Sequence, residues 1–339
     1  MGGVSETAQH SPRPGRRRPF RLAAALLVLL GLAGYFLVQY DSTGGGAPRC
    51  TVRAADGLAG GEGSSYSMTP EQAGYAATIA AVGTAKGMPE RAVTIAMATA
   101  IQESSLRNLD HGDRDSLGLF QQRPSMGWGT PEQIRDPVYS AGIFYDRLAE
   151  VPGYSRLPLT VAAQKVQRSG FPQAYAKHEP DAIVLASVLT GRAPGALTCT
   201  GPVPQGPADR ARITARLDRV FGGAKAGSAA GDEGVLSVPV PASPAAAGRS
   251  GTAGGAAGGT AGGAGGAGDR RGWEVAHWAV AHAAELGIER VSYAGRSWTA
   301  GKNKGGWKDT GGAGKPADGD ARTGNSKGDP RAVLIFLAR

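Results

Sequence analysis

Glu103 is the residue whose type and position most readily do chemistry. It closes an apolar helical stretch, MATAIQES over 97–104. A polar, Asp-rich loop follows, Asn108 to Ser116, and then a short apolar turn, Gly118-Leu119-Phe120-Gln121, which runs on to Pro124. A carboxyl at the end of a buried helix has one side in apolar packing and the other toward a cleft. That setting raises its pKa and keeps a proton available near neutral pH. Such a group is a general acid, and rate gains from general acid–base work run at about a hundred- to ten-thousandfold. The alternative is a carboxylate that only binds or holds structure.

The loop supplies candidates for a second carboxylate: Asp110, Asp113 and Asp115. Glycosidases of the common kind pair a proton donor with a nucleophile or base. A calcium loop would instead need carboxylates at every second position, a glycine at the sixth and a glutamate at the twelfth. Asp110-His111-Gly112-Asp113-Arg114-Asp115 does not keep that register, so no metal is expected. Failing a catalytic role, these acids cap backbone N–H groups and pair with Arg107 or Arg114. Trp128, between Gly127 and Gly129, is either a platform for a sugar ring or a core plug.

The ordered set Glu103-Ser104, Gly118-Leu119-Phe120-Gln121 and Pro124 resembles the lysozyme-like superfamily, closest to its soluble lytic transglycosylase and goose-type lysozyme branch. Phe120 stands where that family's turn has Met. The resemblance implies an all-helical lysozyme-like domain with Glu103 as catalytic acid/base. It also implies Ser104, Gln121 and Tyr145 on the substrate side, with Tyr145 and Leu148 matching a Tyr and Leu in the helix after the family's Asp-Pro. The substrate implied is the MurNAc–GlcNAc bond of peptidoglycan glycan strands, cut without a cofactor. Goose-type enzymes draw a second acid from a comparable loop, whereas lytic transglycosylases need only one. The sequence departs from the family at Ala162-Ala163, which Gln164-Lys165 follows in place of a Tyr-Asn whose Tyr helps hold the carboxyl. Gln167, Arg168 and Ser169 are candidates for the same wall.

The elements that position these residues carry clear start signals. Thr69-Pro70-Glu71-Gln72 is a capping box with proline at the first helical position, and the helix should run to Lys86 and stop at Gly87. Pro89-Glu90 opens the next helix, with Ala92, Ile95, Ala96, Thr99 and Ala100 at three-four spacing on its inner face. Thr130-Pro131 and Asp136-Pro137 open two more, the second with Tyr139, Ile143, Phe144, Arg147 and Leu148 as its apolar face. Thr160 to Gln167 and Asp181 to Leu189 follow. A return helix, ADRARITARLDRVF, carries Arg210, Arg212, Arg216 and Arg219 as a solvated face. No strand-like alternation of any length is evident over 68–221, so the fold class expected is mainly α.

The 339-residue chain has room for two domains and carries a net charge of +9, which suits an anionic cell wall. Its basic residues form no stripe interleaved with aromatics, so no nucleic acid is expected as partner. Residues 1–21 hold Arg13, Arg16, Arg17, Arg18 and Arg21 ahead of an uncharged run, Leu22 to Val38. At helical rise that run spans about 26 Å against a bilayer core of about 30 Å. The flanking arginines put residues 1–21 in the cytoplasm as a tail and the bulk of the chain outside, tethered to the cytoplasmic membrane. A cleaved signal peptide is the rival, although Gln39-Tyr40-Asp41 offers no small-x-small site. Residues 39–67 read as a Gly/Ser-rich tether. Cys50 and Cys199, the two cysteines, are either free thiols or, in an exported chain, a bridge contributing about 4–5 kcal/mol on the chain-entropy model.

Residues 222–271 are a Gly/Ala-rich linker that cannot bury enough apolar area to order itself. Residues 272–339 read as a small α+β domain: a helix from Trp273 to Leu286, a strand from Ile288 to Tyr293, and another from Ala332 to Leu337. This part resembles a C-terminal module of actinobacterial exported wall proteins. There a His-rich run precedes the last strand, and here Gly328-Asp329-Pro330-Arg331 stands in its place. His277 and His282 share no helix face and are expected to be structural. Two functions stay open: a membrane-anchored enzyme cutting wall glycan, or a catalytically silent wall-binding or scaffold protein. Nothing in the sequence sets the oligomeric state.

Overall fold

The computed structural model describes residues 25–36, 47–54, 64–168, 173–204, 206–222, 226–229, 232–240, 267–301, 306–310 and 331–339. The basic tail of residues 1–21, most of the tether, Ser169 and the stretches 241–266 and 311–330 lie outside the described residues. The chain divides into two units, Met1–Gly46 and Ala47–Arg339.

In the first unit a helix, α1, covers 25–36. Leu26, Leu27, Val28, Leu29, Leu30, Tyr35 and Phe36 are all exposed, so it is apolar on every face. Among the described residues no helix is long and apolar enough to cross a membrane. The two ends of the expected span, 22–24 and 37–38, lie outside the described residues.

The second unit is a helical body joined to a sheet. Helix α2 (Pro70–Ala85) starts where the capping box places it: Gln72 N–H donates to Thr69 Oγ1 at 3.2 Å, and Thr69 N–H donates to Gln72 Oε1 at 2.8 Å. α3 (Glu90–Ser104) is buried over most of its length, because small Ala and Thr residues let α2, α7 (Glu179–Leu189) and α6 (Leu159–Gln167) close on it. α4 (Pro131–Ile134) and α5 (Pro137–Ala149) begin at Thr130 and Asp136, whose side chains accept from the first free N–H groups of each helix. α8 (Arg210–Phe221) follows, capped by Asp209.

Strands appear where a tether and a linker were expected. β1 (Arg49–Arg53) and β2 (Ser65–Met68) pair antiparallel, and β3 (Leu197–Thr200) pairs on the other side of β1. Within β1 Cys50 and Val52 turn inward while Arg49 and Arg53 stay out. That alternation is too short to stand out in a Gly-rich surround. Cys50 and Cys199 sit directly opposite one another and are bridged.

β4 (Gly227–Ala229) and β5 (Asp232–Pro239) occupy the front of the expected linker. They join β6 (Ile288–Tyr293), β7 (Arg296–Thr299), β8 (Lys308–Asp309) and β9 (Ala332–Leu337) in an antiparallel sheet of order β4-β5-β9-β6-β7-β8. DEGVLSVP pairs with β9 because Val235, Leu236 and Val238 turn into the core. Helix α9 (Ala267–Ala281), continued by α10 (Ala283–Leu286), lies between this sheet and α2 and α7. It is buried all round rather than on one face, from Trp273 through Ala281. The sheet part is therefore no separate lobe, because one hydrophobic core runs through both parts. His277 is structural: its Nδ1 meets Val188 O at 2.8 Å, and burial pushes its pKa down to about 4.

Candidate active site

Glu103 sits in the last turn of α3, half-buried. The helix stops there because Ser105 and Leu106 both adopt left-handed backbone, φ 54° and 58°. Left-handed residues other than glycine cost about 1–2 kcal/mol each and gather where structure over-determines them. Of the six such residues among those described, Ser105, Leu106, Arg114, Gln121 and Arg168 flank or line the cavity into which Glu103 opens. That cavity is a groove of about 960 Å³, walled by the 113–128 loop on one side and by the ends of α5 and α6 on the other.

The carboxyl is held from behind. Tyr175, itself fully buried, donates its hydroxyl to Glu103 Oε1 at 2.6 Å. The turn bearing Tyr175 is fixed to α3 at neighbouring points: His178 Nε2 meets Gln102 Oε1 at 3.0 Å, and Arg91 pairs with Glu179 at 2.6 Å. The Gln167 amide also lies beside the carboxyl and donates to Phe120 O at 2.7 Å. Burial raises the Glu103 pKa above the ordinary carboxylate range, and the hydrogen bonds from Tyr175 and Gln167 pull part of the way back. The result is a carboxyl of raised pKa, held by Tyr175 and lining the groove.

Ser104, expected on the substrate side, is buried and does not line the groove: its Oγ lies 2.8 Å from Leu119 O and 3.0 Å from Ala100 O, and accepts from Arg107 N–H at 3.2 Å. It stitches the helix end to the Gly118–Gln121 turn. Gly118 is required there, since its φ is +75° and a Cβ would stand 2.7 Å from Ile134 O. Gln121 lines the groove and holds the loop through Nε2, 3.3 Å from Gly118 O.

Trp128 lines the groove but is only 5% exposed, and the Arg147 guanidinium lies 3.6 Å above its ring. That cation covers a face expected to receive a sugar. Tyr145, also expected beside substrate, is in the core, where its hydroxyl donates to Ile79 O at 2.9 Å. Gly83 makes room for it, because a Cβ there would come within 2.7 Å of the ring.

The three loop acids separate. Asp115 is pinned by Arg123 Nε at 2.6 Å and by Ser125 N–H at 2.8 Å, which hold its pKa far below the usual range. Asp110 pairs with His111 at 2.7 Å, and neither it nor Asp115 lines the groove. Asp113 does, and so does Glu150, which the sequence reading did not single out. Tyr175 was also missed. The family's tyrosine would fall right after Ala162-Ala163, whereas Tyr175 lies in FPQAYAKH beyond the helix, where the only hint is an aromatic flanked by alanines.

A second cleft, of about 750 Å³, opens between α2, α8 and α9–α10. Of its charged groups, Asp136, Arg216, Arg219, His282 and Glu285 are in pairs, while Glu71 accepts from the Tyr75 hydroxyl. Arg212 and Arg216 both reach Glu285, at 2.8 and 2.7 Å, Arg219 pairs with Asp136, and His282 Nδ1 lies 3.4 Å from Glu285. Arg212 and Arg216 of α8, expected to be on a solvated face, thus tie α8 to α10, while Arg219 ties it to the start of α5.

A family model described as VldE, C-terminal domain, matches residues 249–320. The matched stretch opens in the Gly/Ala-rich run and continues through α9, β6 and β7, so it contains none of the groove residues. Among curated proteins none matches the chain.

Proposed function

We propose that the protein is a lysozyme-like glycan-cleaving enzyme of the cell wall, of lytic transglycosylase or muramidase type, with Glu103 as its acid/base. The observation that carries this reading is the half-buried Glu103 carboxyl, gripped by Tyr175 at 2.6 Å and open to a groove of about 960 Å³. Tyr175 takes the part that the family resemblance gives to a tyrosine on the preceding helix. In the reaction Glu103 gives its proton to the bridging oxygen as the C1–O bond breaks. The substrate's own N-acetyl oxygen stabilises C1. Either water or the sugar's 6-hydroxyl then attacks C1 and returns a proton to Glu103. With Asp110 and Asp115 engaged elsewhere, Asp113 is the loop acid left for a two-carboxylate route. Helix α1, apolar on every face, supports attachment to the cytoplasmic membrane with the groove on the outer side.

Loss of turbidity in purified cell walls tests the reading, with soluble products weighed by mass spectrometry. Wild type should clear the walls and release muropeptides, anhydro or hydrolysed, while Glu103→Gln should not. If neither clears and both still bind, the protein is a silent wall-binding module.

A further inference from the structure

The groove is unevenly charged. Three acids, Glu103, Asp113 and Glu150, share it with five cations. Arg123 is neutralised by Asp115, and Arg147 is laid over Trp128 with its Nη2 on Gly127 O at 2.7 Å. Arg114, Lys165 and Arg168 are exposed and have no salt-bridge partner among the described residues.

Lys165 and Arg168 alone have an ordinary explanation, since cations at a helix C-terminus complement its dipole. Arg114 does not share it: it comes from the facing loop and is held at φ +57°, as Arg168 is at +53°. Cations from two walls converge on one groove, whereas Arg212, Arg216 and Arg219 of α8 are each paired with an acid. Concentrated like charge in a cleft with low-dielectric walls raises affinity for, and capture of, the opposite charge.

We propose that Arg114, Lys165 and Arg168 select a glycan strand by the ionised carboxylates on its side arms, so that strands with free peptide carboxylates bind in preference to amidated or unsubstituted ones. This rests on the groove being the glycan site. It concerns binding, so it is separable from whether the bond is cut.

The test uses the full chain carrying Glu103→Gln, which leaves bound strands intact. Affinity is measured by calorimetry for soluble peptidoglycan strands with free stem carboxylates, for the same strands with those carboxylates amidated, and for a chitin oligosaccharide. The free-carboxylate strands should bind roughly tenfold or more tightly than the other two, a preference that shrinks as salt rises. Adding Arg114→Gln, Lys165→Gln and Arg168→Gln should erase the preference, while Arg114→Lys with Arg168→Lys should keep most of it. Circular dichroism checks that each variant is folded. Equal affinity for free and amidated strands, no binding of the free strand, or a preference that survives the triple change would each overturn the proposal. Selective binding together with a wild type that clears no walls would sink the enzymatic reading and leave this one standing.

Discussion

The two clefts are lined by the same kinds of side chain and use them in opposite ways. In the cleft between α2, α8 and α9–α10, Arg216 and Arg219 are matched by Glu285 and Asp136. In the groove at Glu103, Arg114, Lys165 and Arg168 are exposed and have no salt-bridge partner among the described residues. The first arrangement holds two parts of one body together, and its charges are satisfied before any ligand arrives. The second leaves three cations without an ion-pair partner around a carboxyl whose pKa burial raises. Where opposite charges come from elements distant in sequence, they report assembly; where like charges converge, they report a guest.

The largest effect expected in breaking this contrast is at Glu103 itself. Glu103→Gln should lower the rate of wall clearing by about a hundred- to ten-thousandfold while the circular dichroism spectrum is unchanged. On the other side of the molecule, Trp278→Ala, deleting a fully buried ring that packs on Phe221 and His282, should cost about 3–5 kcal/mol in urea unfolding. Tyr175→Phe should slow clearing roughly tenfold. Its hydrogen bond lowers the Glu103 pKa, so removing it raises that pKa further, and the alkaline limb of the pH–rate profile should move to higher pH.

Glu285→Gln should cost about 1 kcal/mol, a value kept small by its exposure, and should leave strand affinity alone. Arg168→Gln should do the reverse, changing stability by no more than about 0.5 kcal/mol and weakening strand binding. Smallest is the pH dependence of folding at Glu103. Its raised pKa favours the folded state at low pH, and that contribution is lost as pH rises through the folded value. Glu103→Gln lacks this loss, so its melting temperature should fall less than that of wild type between acid and neutral pH.

Much of the helical body could be read from residues with unambiguous backbone chemistry. Thr69-Pro70 and Asp136-Pro137 fix helix starts through a side-chain acceptor and a ring with no N–H, and β6 and β9 follow their apolar runs residue for residue. Glu103 was legible because a carboxyl at the end of an apolar helix has few other uses. Tyr145 and Ser104 were misplaced because a motif gives adjacency along the chain, while the side of the helix that turns to solvent is decided by neighbours such as Gly83. Tyr175 was hidden because its partner lies on another element, and no local pattern encodes a contact of that kind. β1 and β5 were hidden by surroundings rich in glycine: each is ordered by a partner strand far off in sequence, and composition records only how costly ordering is.

The covalent link between β1 and β3 has a mechanical consequence. Cys50 and Cys199 join the strands through which the chain enters and leaves the helical body, spanning 149 residues of sequence. Tension pulled through the N-terminal segment would pass from Cys50 straight to Cys199 and onward, along bonds that do not yield. The residues that build the groove hang from this link as a side loop off the load path, so they would keep their geometry while the chain on either side is under strain.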